Sequence, residues 1–117
     1  MKAIIKEIHS PDININNYWP EDEENFGFLL QVMIGPESEE GSESFDIMVC
    51  TPDWIKNNLS GQKAIWGLHY LIVFEYNITF IKKYISNYLV NCTGSNWQDI
   101  AKKISYIGKW EFENYTT

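Results

Sequence analysis

Arginine is absent from this chain, and all nine basic side chains are lysines. The protein therefore has no arginine hot spot of its own, and cations at any interface must come from the partner. Acids outnumber bases sixteen to nine, for a net charge of −7, a balance that repels nucleic acid and anionic lipid. Cysteine is scarce: Cys50 and Cys92 form no C-x-x-C pair and are expected as buried free thiols. His9 and His69 stand sixty residues apart, so neither histidine nor cysteine matches a zinc spacing. The longest apolar runs, around 26–34 and 70–74, are too short to span a bilayer. The opening MKAIIKEIHS is interrupted by charge and is no signal peptide, so a cytoplasmic protein is expected.

Catalytic patterns are missing as well. His9, Ser10 and Asp12 have the residue types of a hydrolytic triad, but such close neighbours cannot converge, and no G-x-S-x-G elbow is present. Cys50 and His69 form no recognisable thiol–imidazole motif. The acidic run 37–43 lacks the alternating ligands of a calcium loop, and Gly27 and Gly35 belong to a strand rather than a phosphate cradle. Four N-x-S/T matches in a chain with eleven asparagines are read as chance. No catalytic residue, metal or cofactor is expected, and the chain is read as a binding protein rather than an enzyme.

What is present suffices for one core. The 117 residues, 44% hydrophobic and 15% aromatic, suit a single domain spanning 1–117. Residues 2–9 read as a strand, and 10–24 as an irregular connection with two prolines. Residues 26–34 alternate with period two and are apolar on both faces, which predicts a central strand. After Gly35-Pro36 and the charged loop 37–44, residues 45–50 complete a long hairpin. Thr51-Pro52-Asp53 is a helix start. Residues 64–76 alternate again as a strand, with Leu68, Tyr70, Ile72 and Phe74 on one side.

Ile78, Ile81, Ile85, Tyr88, Leu89 and Cys92 then recur at helical spacing, with Asn77 or Thr79 as cap. Ser95-x-x-Gln98 matches a capping box for a last helix carrying Trp97, Ile100, Ala101, Ile104 and Ile107, closed by Gly108 at C′. Residues 109–115 read as a terminal strand. The order β-β-β-α-β-α-α-β predicts an α+β fold, with an antiparallel or mixed sheet of about five strands and helices on one face.

Charge is distributed unevenly. Twelve acids but only two lysines precede Trp54, so the first 53 residues carry about −10 and the rest about +3. Glu21, Asp22, Glu23 and Glu24 precede the central strand, and Glu37, Glu39, Glu40 and Glu43 follow it. Both segments are expected on one rim of the sheet, as an electrostatic landing surface for a basic partner. Trp54, Trp66, Trp97 and Trp110 fall in periodic elements and are assigned to the core. Tyr18 and Trp19 lie in the acidic loop without periodicity, as aromatic anchors in a polar rim do.

The segments FGFLLQVMIGP (26–36), FDIMVCTPDW (45–54), HYLIV (69–73) and IGKWEF (107–112) together resemble the immunity protein 8 family over nearly the whole chain. That resemblance implies an immunity protein of a bacterial polymorphic toxin or contact-dependent inhibition system, whose partner is a cognate toxin domain. It carries over no catalytic residue. The expected action is one-to-one occlusion of the toxin by a monomer, with the contacts at Tyr18, Trp19 and the eight clustered acids inferred from charge. The alternative is a regulatory adaptor or assembly subunit pairing through the sheet edge at 109–115.

Overall fold

The computed structural model describes residues 1–112. Three antiparallel strands form the frame: β1 (Ala3–His9), β2 (Gly27–Pro36) and β3 (Glu43–Cys50). The far edge of β3 is shared end to end by two short segments. Its second half pairs in parallel with β4 (Tyr70–Ile72), and its first half pairs antiparallel with β5 (Lys109–Trp110). The sheet is therefore mixed, and the element order is the one expected from periodicity. Where Ile5 pairs with Ile34 and Glu7 with Met33, β1 carries a bulge at Lys6.

Period two decides the two faces. Phe28, Leu30, Val32 and Ile34 of β2, with Phe45, Ile47 and Val49 of β3, are fully or almost fully buried on one face. They pack against Ile81, Ile85 and Leu89 of α2 (Ile78–Leu89) and against Ile100, Ala101 and Ile104 of α3 (Trp97–Ile104). The opposite face holds Leu29, Gln31, Met33, Asp46 and Met48, all half-buried. Its two ends are covered. A Cβ on Gly27 would lie 2.5 Å from the Trp54 ring, and one on Gly35 would lie 2.1 Å from the Gly41 carbonyl. Glycine is needed at both positions for that close approach.

Capping follows local chemistry. Thr51 Oγ1 accepts from Trp54 N at the start of α1 (Pro52–Leu59) and also from Phe26 N at 3.2 Å, so one buried hydroxyl ties the helix to the sheet. Asn77 caps α2, accepting from Phe80 N at 2.9 Å. At α3 the cap is Asn96 instead of Ser95, because the Asn96 carboxamide accepts from Asp99 N while Ser95 Oγ donates to the Asp99 carboxylate. Gly108 also differs from its expected role as a helix stop. Ser105 is the C-cap, and Gly108 is fitted by its approach to β3, where a Cβ would lie 3.0 Å from Phe45 Cβ.

The strand expected over 64–76 shrinks to the three residues of β4. Gly67 and His69 have φ of 70° and 64°, which breaks the extended run before Tyr70. Residues 60–62 form a 3-10 turn leading into that irregular stretch. The strand expected over 109–115 is present at Lys109–Trp110, and 113–115 lie outside the described residues.

Both cysteines are free and buried. Burial pushes the Cys50 thiol from 9.0 up to about 11, and burial also raises the Tyr18 and Tyr76 phenols. A group held protonated by the fold stabilises it fully below its unfolded pKa, and that stability is lost as pH rises through the folded value. The urea midpoint should therefore fall between pH 9 and about 11, and Cys50→Ala should reduce that fall. An alkaline limb identical in the variant would remove Cys50 from the account.

Candidate functional site

The two acidic segments do not share a rim. They flank β2, whose ten residues span roughly 30 Å, so they sit at opposite ends of the sheet. The hairpin end is partly offset by lysine. Lys2 Nζ lies 3.9 Å from the Glu37 carboxylate, and Lys6 Nζ donates to the Glu39 carbonyl at 2.8 Å. Glu37, Glu39 and Glu40 are exposed, whereas Glu43 is half-buried and structural in its bonding. One of its carboxylate oxygens accepts from Trp97 Nε1, and the other from Trp110 Nε1 at 2.6 Å.

At the other end Glu21, Asp22, Glu23 and Glu24 are all exposed, and among the described residues none forms an ion pair. Asp22 Oδ1 accepts from Glu24 N at 2.9 Å, and the Trp19 indole donates to Glu23 at 3.1 Å, which fixes the turn. Tyr18 and Trp19 are adjacent in sequence but play different parts. Tyr18 is half-buried, edge-on to Phe28 at 5.5 Å and to Tyr76 at 5.1 Å. Trp19 is 62% exposed and touches Tyr76 by its edge at 5.5 Å. Tyr76 itself is buried, and its hydroxyl has no hydrogen-bond partner among the described residues.

The same end gathers residues distant in sequence from the acidic loop. Register sets Gly27 opposite Cys50 and Cys50 opposite Ile72, so the start of β2, the end of β3 and the end of β4 meet there. Val73 N donates to Cys50 O at 2.9 Å and its side chain turns inward, which leaves Phe74 outward and 80% exposed. Phe74 shares a surface depression with Glu24, Thr51, Pro52 and Asp53, and Glu75 is exposed beside it. Alternation flagged Phe74 as apolar, but only the edge position of β4 shows that no layer covers it.

Exposed apolar side chains continue along that edge. Ile72, Phe80 and Tyr84 line one hollow, with the Phe80 and Tyr84 rings 5.6 Å apart. Beyond them a cleft of about 350 Å³ is lined by Trp66, Leu68, His69, Tyr84, Tyr88 and Tyr106. Trp66, assigned to the core by periodicity, is fully exposed. It lies in the irregular stretch before β4, where alternation has no sheet to act on. Trp110 is buried as expected, and Trp54 and Trp97 are half-buried. His69 Nε2 lies 2.8 Å from the Ser105 carbonyl, and Cys50 is not among the residues lining this cleft.

Among the described residues no group of three or more histidine, cysteine, aspartate or glutamate side chains could hold a metal ion. No helix among them is long and apolar enough to cross a membrane. Large exposed aromatics beside unpaired carboxylates are equipped to bind a protein surface. Comparison with curated proteins and with solved structures gives no significant match. The family model described as Immunity protein 8 matches residues 3–115, nearly the whole chain, and the protein belongs to that family.

Proposed function

We propose that this immunity protein binds a cognate bacterial toxin domain one to one and blocks its active site, acting in the cytoplasm of the producing cell without catalysis of its own. Family membership carries the reading, since an immunity protein has a toxin as its partner. The charge distribution supplies the manner of binding. Exposed carboxylates outside any ion pair among the described residues, as at Glu21, Asp22, Glu23 and Glu24, attract a basic cleft, such as one evolved to hold nucleic acid.

The test is co-expression with the cognate toxin domain. Growth should be restored and the two proteins should purify together at equal stoichiometry. Between 50 and 500 mM salt, association should slow by about tenfold or more, as steering by exposed charge is screened. Failure to protect or to bind would defeat the function. A salt-independent association rate would defeat the electrostatic manner alone.

A further inference from the structure

We propose that the toxin docks on the end of the sheet where Phe74 and Trp19 stand among Glu24, Asp53 and Glu75, and not on the acidic hairpin loop. This deepens the toxin-binding reading and rests on it. The occupant is a toxin surface with an apolar socket bordered by lysine or arginine.

Three observations select this end. First, it combines anchors with charge. Phe74, 80% exposed, shares its depression with Glu24 and Asp53, and Trp19, 62% exposed, is fixed by Glu23. An aromatic ring that desolvates fully on binding, surrounded by polar groups that exclude water, is the arrangement that dominates interface energetics. The hairpin loop presents no exposed aromatic side chain. Second, the charge at this end is free. No ion pair involves Glu24, Asp53 or Glu75 among the described residues, whereas Lys2 and Lys6 lie against the hairpin. The unneutralised end exerts the stronger pull on a basic surface. Third, the buried Tyr76 ring meets the Trp19 ring at 5.5 Å, so the exposed indole is seated on the core before a partner arrives.

The experiment measures association and dissociation of the purified chain with its purified cognate toxin domain. Phe74→Ala should weaken binding at least about 30-fold, mainly through faster dissociation. Glu24→Lys with Glu75→Lys should slow association by about tenfold at low salt. The control, Glu37→Lys with Glu39→Lys and Glu40→Lys, should stay within about threefold of the native chain, as rim charges distant from a contact do. All these side chains are exposed, so unchanged unfolding midpoints should accompany each substitution. Native-like binding by the Phe74 and Glu24/Glu75 variants, with loss in the hairpin variant, would overturn this surface and leave the function standing. A native chain that neither binds nor protects would overturn the function itself. Self-association of the free chain that Phe74→Ala abolishes would assign the patch to a second copy and also overturn the proposal.

Discussion

Replacing Glu43 with leucine should lower the stability of the fold by about 3 kcal/mol, because two part-buried indole N–H groups lose a charged acceptor at once. The carboxylate joins three elements distant in sequence: it stands at the start of β3 and accepts from Trp97 of α3 and Trp110 of β5. Hydrogen bonds to a charged group are worth more than neutral ones, and a donor left buried without a partner bears its full desolvation cost. Urea unfolding followed by far-UV dichroism would read the loss as a midpoint lowered by about 1–2 M. Glu43→Gln should fall between, since the two indoles bond different carboxylate oxygens and the amide would set an NH2 donor in place of one of them. In a Trp110→Phe background the leucine substitution should cost clearly less, and equal cost in both backgrounds would show that the pair is not coupled.

Phe28→Ala should be more damaging still, at about 4 kcal/mol, the range expected for emptying a fully buried phenylalanine site. Phe28 is wholly enclosed at the start of β2. It stacks on Phe26 at 6.3 Å and receives the edges of Tyr18 at 5.5 Å and Tyr76 at 6.2 Å. The rings are held by one another, so the cavity would not simply collapse. The same packing positions Tyr18, and through it the loop that bears Trp19. Thermal unfolding should show the loss directly, and Phe28→Leu should recover more than half of it. A variant with native stability would mean that the aromatic cluster closes over the gap at little cost.

The helices were legible in sequence because their evidence is local. Ile81, Ile85 and Leu89 recur at the spacing that one buried face demands, and they are the buried residues of α2. Thr51-Pro52-Asp53 carried its own stop and start chemistry, and Thr51 caps as read. The reading failed where position in the sheet decides. Leu68, Tyr70, Ile72 and Phe74 alternate as a buried strand does, yet β4 lies at the edge and only Tyr70–Ile72 pair. Periodicity reports a face without saying whether anything covers it, so it assigns Trp66 to the core and does not show that Phe74 is uncovered. Glu43 had the same composition around it as Glu39 and Glu40, and its two indole partners lie 54 and 67 residues away. No local pattern distinguishes a tethered carboxylate from a solvated one. The opposite placement of the two acidic runs could have been inferred: a ten-residue strand between them is a rod, and its ends do not meet.

The bulge in β1 has a consequence for shelf life in solution. An outermost strand offers unpaired amides and carbonyls to any passing chain, and a flat one invites stacking into fibres. Here the register slips at Lys6, whose exposed ammonium reaches across to the Glu39 carbonyl, so the border is both bent and charged. At the opposite margin the pairing segments are three and two residues long among the described residues, too short to template growth. Margins blunted in this way among the described residues should keep the chain from polymerising at high concentration, and leave adhesion to side chains that a specific partner must fit.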